Sequence, residues 1–392
     1  MVEKRRVLIV TAIYTMPDYP AKGLFVKEQI LALAETGEFI FDVLYVDIRS
    51  CKLTSLISNF VNRFLFKKRN FKILERSEDL SVYHLFIPNN RRVPDFLQLL
   101  IEKYNVRKFI NLYQKDDKDP VLIHALNGNP SGLLANVVVD ILKKPVVMTE
   151  HNPILFHHLS RSRGKQIIQS YVNSREVAAL SKFQNLSLLN CDFKIKTVLI
   201  PNLINEELFY IDYNVKKPSV FTIISVLYFK PIKGYETLVQ ALSILKNRGV
   251  EFRFILIGEG IEYLISLCRN FNVYEWGEYF YNIKHSDLCQ FFNRSHLYVC
   301  SSIVETHGMA PREAMLCGLP VVSTDNGGVE DSIFDLTGLI SNNGDAADLA
   351  SKIEKVKKRY LNYNGDEIRQ SVIEDCGKKV FVDNMKNFYR ID

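Results

Sequence analysis

Strand-like and helix-like segments alternate along this chain in two successive series, and that rhythm limits the possible folds more than any other feature. In the first series residues 6–11, 39–47, 121–124 and 145–149 read as strands, with helical spacing over 24–35 and 131–142. In the second, 220–226, 252–257, 296–300 and 320–323 read as strands, with a helix over 235–247. A β-α-β succession implies parallel strands with helices on both faces. The chain has 392 residues, long for one hydrophobic core and ample for two. Two doubly wound α/β domains are therefore expected. Ile200-Pro201-Asn202-Leu203 and the polar stretch 210–217 lie between the series, which sets the boundary near 205–216. The domains are then 1–205 and 206–375. Ligands on such sheets sit beyond the carboxyl ends of the strands, and two such domains facing each other would create a cleft.

Composition narrows the class. Hydrophobic residues at 47% and charged residues at 24% are ordinary for a globular protein. The longest purely apolar runs, such as Val137-Val138-Val139, fall far short of the roughly 20 residues of a spanning helix. The apolar stretch ending at Thr11 is too short for a signal-peptide core, so a cytoplasmic location is expected. The seven cysteines are scattered and never in C-x-x-C spacing, which fits a reducing compartment and gives no case for zinc. A net charge of +6 suits a polyanionic partner, without separating nucleic acid from nucleotide or anionic membrane.

The most informative stretch is Ser301 to Val322, SSIVETHGMAPREAMLCGLPVV. It reads as a strand end, a glycine-containing loop and a short helix. Pro311 suits the first helical position, Glu313 the first turn and Gly318 the C-terminal stop. Backbone N–H groups opening from Gly308 and Met309 make an anion site. Glu305 in the loop and Glu313 in the helix can face one ligand and accept hydrogen bonds from sugar or ribose hydroxyls. The two glutamates alone equally allow a dipole-favoured Glu313 and a solvated Glu305.

As a whole the segment resembles the E-x7-E signature of retaining glycosyltransferases of family four, which have the GT-B fold; His307 replaces the usual aromatic residue. The resemblance implies two facing Rossmann-like domains with an interdomain cleft, and residues 376–392 forming a helix that crosses back to the first domain. It implies a nucleotide-sugar donor, UDP- or GDP-linked, and no nucleic acid. A hexose-type sugar would pass with retention to a glycan acceptor, lipid-linked, in cell-surface polysaccharide biosynthesis. The transition state would be oxocarbenium-like, with the leaving phosphate as base and no metal or other cofactor. Gly23, Lys233, Gly308 and Met309 would hold the phosphates, Glu313 the ribose and Glu305 the sugar.

Other segments carry the resemblance further. Gly23 in Ala21-Lys22-Gly23-Leu24-Phe25 is similar to the family's first loop, where glycine lets backbone approach a phosphate. Residues 225–234 (SVLYFKPIKG) resemble its phosphate loop, but the arginine usual five or six positions before the lysine falls on Tyr228 or Leu227. Lys230 is a second candidate cation, or a surface lysine. Gly258-Glu259-Gly260 is similar to the family's G-x-G turn. Asn326-Gly327-Gly328-Val329-Glu330 resembles the loop whose amides and carboxylate approach the sugar, though a plain glycine turn explains it as well. Thr149-Glu150-His151-Asn152 resembles the loop in which a histidine sits near donor and acceptor, so His151 joins Glu305 as a catalytic candidate. His124 is its weaker companion. Asp117-Lys118-Asp119 is the single D-x-D and reads as a solvated loop.

Residues 53–72 place Leu53, Leu56, Ile57, Phe60, Val61, Phe64 and Leu65 on one helical stripe that runs into Lys67-Lys68-Arg69. Such a helix suits peripheral contact with an anionic membrane, or packs on its own domain. Two rival functions frame the reading. A dinucleotide-dependent oxidoreductase needs a glycine-rich turn after the first strand, and residues 11–19 contain no glycine. A catalytically weak sugar-nucleotide-binding scaffold stays open because of the displaced arginine.

Overall fold

Valine, isoleucine and leucine fill successive positions of most strands, the pattern of parallel sheets buried on both faces. In β1 (Arg5–Thr11) the last five residues are all buried. The computed structural model describes residues 4–16, 23–50, 71–90, 92–116, 118–154, 159–228, 230–281 and 283–390. The chain divides into two units. One comprises residues 1–180, 185–200 and 382–392; the other comprises 181–184 and 201–381. The last helix, Lys378–Phe388, is shared, since its residues to Phe381 cluster with the second unit and those from Val382 with the first.

The N-terminal unit is built on β1 and seven further strands: β2 (Phe39–Ser50), β3 (Phe71–Arg76), β4 (Leu80–Asn89), β5 (Leu122–Leu126), β6 (Val146–Thr149), β7 (Val177–Ala179) and β8 (Thr197–Leu199). Their order is β3-β4-β2-β1-β5-β6-β7-β8, parallel throughout except for β3, which runs antiparallel to β4 at the edge. Strand order reverses at β1, which pairs with β2 on one side and β5 on the other. Helices Asp95–Tyr113, Leu133–Leu142 and Arg161–Asn173 contribute Leu99, Val106, Leu134, Val138 and Ile167 to the core against Leu8, Val10, Leu44 and Ile123.

The C-terminal unit holds β9 (Thr222–Leu227), β10 (Arg253–Gly258), β11 (Gly277–Phe280), β12 (Leu297–Cys300), β13 (Val321–Thr324) and β14 (Gly338–Ser341). Their order, β11-β10-β9-β12-β13-β14, is the Rossmann arrangement with its reversal between β9 and β12. Alternate residues feed two cores: Ile223, Phe254 and Leu256 enter one, while Ile224, Ile255 and Ile257 enter the other. That is the period-2 consequence of a sheet covered on both faces. Among the described residues no helix is long and apolar enough to cross a membrane. The expected amphipathic helix over 53–72 lies outside the described residues except for Phe71 and Lys72, which begin β3.

One buried charge cluster sits at the start of the N-terminal sheet. Asp42, fully buried in β2, accepts from Arg6 Nη1 (2.7 Å), Lys118 Nζ (2.9 Å) and Tyr113 Oη (2.9 Å). Lys118 is thus a structural cation and not part of a solvated loop, because a buried carboxylate needs a partner. Asp119 pairs with Lys144, and Asp117 is outside the described residues. Replacing Asp42 by Asn leaves the Lys118 ammonium stranded. Urea unfolding should then show a loss of about 3–5 kcal/mol; a change below 1 kcal/mol would contradict this role.

Candidate functional site

In the C-terminal unit the loops after β9 and β12 are stitched together where the strand order reverses. Ile303 N–H donates to Ile232 O at 2.7 Å, and Ser301 Oγ donates to Lys233 O at 3.1 Å. Gly234 makes this approach possible: a Cβ there would sit 1.9 Å from Ser301 O, and its φ is +59°. The turn it ends carries Lys233, whose Nζ reaches Glu305 Oε1 at 2.6 Å. Ser302 Oγ donates to the same oxygen at 2.7 Å. Both side chains keep some exposure, 24% for Lys233 and 16% for Glu305, so a ligand can compete for either.

The helix carrying Glu313 spans Met309–Leu316 with Gly308 as its cap. It therefore begins two residues earlier than the sequence suggests. Pro311 is the third helical residue, tolerated because the first four N–H groups have no partner within a helix. Glu313 falls beyond the first turn, so dipole stabilisation of that turn does not account for it. It is buried, and His285 Nε2 donates to its Oε1 at 2.8 Å. Gly308 has φ +72°, and a Cβ there would meet Val329 Cγ2 at 2.5 Å. Arg312 is buried one residue before Glu313 and donates to the carbonyls of His307 and Gly328. It clamps two loops that the sequence reading treated separately.

The weaker candidates separate by environment. Glu330 accepts from the amides of Gly327 (2.6 Å) and Val329 (3.0 Å), so its carboxylate is spent organising its own loop. Burial pushes its pKa up, against those bonds. Gly258 ends β10 where a Cβ would lie 1.6 Å from Leu227 O, a packing role. Lys230 is exposed at the start of the turn that Lys233 ends. Of the two positions on which the family's arginine would fall, Tyr228 is 54% exposed and Leu227 is buried. Among the described residues no group of three or more His, Cys, Asp or Glu side chains is placed to hold a metal ion.

In the N-terminal unit the loops after β1, β5 and β6 converge. Gly23 caps the helix Leu24–Ala34, and the next residue but one, Phe25, lays its ring edge-on to His151 with centroids 5.0 Å apart. His151 N–H donates to Asn127 Oδ1 at 2.7 Å, while Asn127 holds a φ of +74° that non-glycine residues seldom adopt. Glu150 locks both loops. It is buried and accepts from Gly128 N–H (2.7 Å), Asn152 N–H (2.8 Å) and Tyr171 Oη (2.6 Å). Burial raises its pKa and these donors oppose the rise. The sequence showed Glu150 beside His151 but gave no sign of its partner Tyr171. His285 was missed altogether, being a lone histidine 28 positions from Glu313.

His124 has both ring nitrogens engaged within its own unit. Its Nδ1 lies 2.7 Å from Tyr389 Oη and its Nε2 2.8 Å from Thr149 Oγ1, in full burial.

Residues 210–374 match the family described as Glycosyl transferases group 1. The chain is 26% identical over 340 residues to an uncharacterized glycosyltransferase of Methanocaldococcus jannaschii, covering 82% of this chain and 88% of that one. Among solved structures it is similar to the sucrose-phosphate synthase of Thermosynechococcus elongatus, with TM-score 0.77, 19% identity, and 99% and 98% of the two chains covered. It is also similar to Anabaena HepE in complex with UDP-glucose, with TM-score 0.70, 15% identity, and 98% of each chain covered.

Burial holds the His124 pKa down to about 3, with the nearby His151 charge adding to the effect. An unfolded histidine titrates near 6.5, so the unfolded chain binds the extra proton between the two values and stability falls as pH drops below about 6.5. By pH 5 this group alone removes about 2 kcal/mol. His296, held to about 4 by burial, adds to the same limb. Urea unfolding at pH 7 and pH 5 should show a smaller acid loss for His124→Asn than for the wild type; an unchanged acid loss would contradict it.

Proposed function

We propose that this chain, which is a glycosyltransferase of the GT-B fold, moves a hexose-type sugar from a nucleoside-diphosphate donor to a glycan hydroxyl with retention of configuration. The observation that carries the reading is the Lys233–Glu305 contact of 2.6 Å at the reversal of the C-terminal sheet. A cation and a carboxylate at the mouth of a Rossmann switch point suit a diphosphate and a sugar respectively. The HepE complex with UDP-glucose supports the donor class.

As the bond from the anomeric carbon to the phosphate oxygen breaks, negative charge grows on the departing phosphate. Lys233 and the helix opening at Gly308 and Met309 stabilise it without needing a metal. Glu305 accepts from hydroxyls of the sugar, and Glu313, aimed by His285, accepts from the ribose. The acceptor oxygen bonds to the same face of the anomeric carbon, and its proton passes to the leaving phosphate. In the N-terminal unit, taken by itself, Gly23 and His151 lie on neighbouring loops, and the imidazole suits hydrogen bonding to a sugar hydroxyl. Gly258 and Glu330 shape the loops without touching the donor, and Lys230 stands outside. A lipid-linked acceptor in polysaccharide assembly, at the cytoplasmic face of a membrane, is supported by the apolar stripe of residues 53–65 and the basic run Lys67-Lys68-Arg69 that follows it in the sequence.

A second reading, a sugar-nucleotide scaffold with little turnover, is favoured by Tyr228 or Leu227 standing where an arginine is usual. Donor turnover separates them. With EDTA present, wild type should hydrolyse or transfer from a UDP- or GDP-sugar, Glu305→Ala should lose about 100-fold or more, and Lys230→Ala should stay near wild type. Binding of the nucleotide diphosphate without any turnover would favour the scaffold.

A further inference from the structure

Two elements of the C-terminal unit face each other through a pair of matched contacts. His285 opens the turn His285–Asp287, which runs directly into the helix Leu288–Asn293. Glu313 lies on the helix Met309–Leu316, which ends at its cap residue Cys317. His285 Nε2 meets Glu313 Oε1 at 2.8 Å. Four residues further along each element, Cys289 meets Cys317 with their sulfurs 3.7 Å apart. Residues four apart share one helical face, so the two contacts are successive rungs between the same two elements. The first rung aims the carboxylate proposed to hold the ribose. The second takes no part in transfer, and its chemistry is that of a dithiol.

The surroundings make the two thiols unequal. Both are buried, Cys289 with 8% and Cys317 with 3% of its surface exposed. Asn293 Nδ2 donates to Cys289 Sγ at 3.4 Å, and a donor there stabilises a thiolate. Hydrogen bonding from Cys317, aided by Asn293, holds the Cys289 pKa below the ordinary thiol range, while burial pushes Cys317 up. In Cys268, Cys300 and Cys376 burial pushes the pKa up as well. Cys289 is therefore the nucleophile of the pair and Cys317 keeps the proton. The exposure left to Cys289 suits a small uncharged oxidant such as hydrogen peroxide.

We infer that Cys289 and Cys317 are a modification site, forming a disulfide on exposure to a peroxide and so coupling oxidation to the Glu313 carboxylate one turn away. The Cys289 thiolate attacks hydrogen peroxide, becoming a sulfenic acid and releasing hydroxide. The Cys317 thiol then attacks that sulfur, water leaves with its proton, and the S–S bond closes. The two thiols lose the two electrons that the peroxide gains. A covalent S–S bond is shorter than the 3.7 Å contact, so closure draws the second rung together. The first rung is already at hydrogen-bond distance and cannot follow. Ala314, Met315 and Leu316 are fully buried, and a packed interior leaves side chains little room to absorb the shift. The helix Met309–Leu316 then tilts about the first rung and turns the Glu313 carboxylate away from the ribose. This coupling rests on the transfer reading above; the disulfide does not.

The test treats the full-length chain with hydrogen peroxide, blocks remaining thiols with N-ethylmaleimide, and digests it with trypsin without reductant. Mass spectrometry should find the peptide 285–294 joined to the peptide 313–352, each of which carries one cysteine. Dithiothreitol should release them. Calorimetric titration with UDP and GDP should show about tenfold weaker binding by the oxidised chain, the factor of one lost hydrogen bond. Dithiothreitol should restore it. Cys289→Ser and Cys317→Ser should keep their affinity under peroxide; the reversal by dithiothreitol gives the same reading on wild type should either variant fold poorly. Two thiols left free by peroxide, or joined to other cysteines, would overturn the site. A crosslink with unchanged nucleotide affinity would overturn the coupling. A reduced wild type that ignores both nucleoside diphosphates would overturn the transfer reading instead.

Discussion

A lysine and a glutamate meet at 2.6 Å where the order of the C-terminal sheet reverses, and the loops after β9 and β12 are bonded to each other to hold them there. The two residues lie 72 positions apart. They meet because β9 and β12 are sheet neighbours and because Gly234 lets one loop lie directly on the other. Each neutralises its partner's charge, which offsets the cost of partly burying a lysine and a glutamate. In the proposed transfer a diphosphate would attract the lysine and a sugar hydroxyl the glutamate, so one contact would preset both halves of a donor.

Buried charges rather than apolar packing set the loops around the site. Arg312 gathers carbonyls from the loops at 307 and 328, Glu330 gathers amides from the latter loop, and Glu150 does the same for two loops of the N-terminal unit. Each such group holds more than one backbone partner, which offsets the cost of its burial. The engaged groups brace the loops, while Lys233 and Glu305 keep some exposure and are the pair proposed to meet the donor. This division explains why Glu330 looks like a ligand in the sequence and behaves as a brace in the fold.

Legibility in the sequence followed the same physics. The helix Tyr235–Asn247 could be read to the residue because Gly234 stops the preceding turn and apolar residues recur at helical spacing. Helix Asp95–Tyr113 left no such trace, since its buried face includes Gln98, Glu102 and Asn105 while Phe96, Leu97 and Leu100 point outward. Glu305, Lys233 and the glycines were legible as an ordered motif. Partners brought by topology alone, such as His285 and Tyr171, were not.

The central claim is that Lys233 serves the diphosphate and does so without a divalent ion. Calorimetric titration of wild type and Lys233→Met in EDTA, with UDP, GDP and the bare nucleosides, tests it most directly. The account predicts tight binding of one diphosphate by wild type and an affinity loss of about 10- to 100-fold in the variant, the range of a charge-assisted hydrogen bond, confined to the diphosphate. Equal loss for the nucleoside, or diphosphate binding that vanishes in EDTA and returns with a divalent ion, would contradict it.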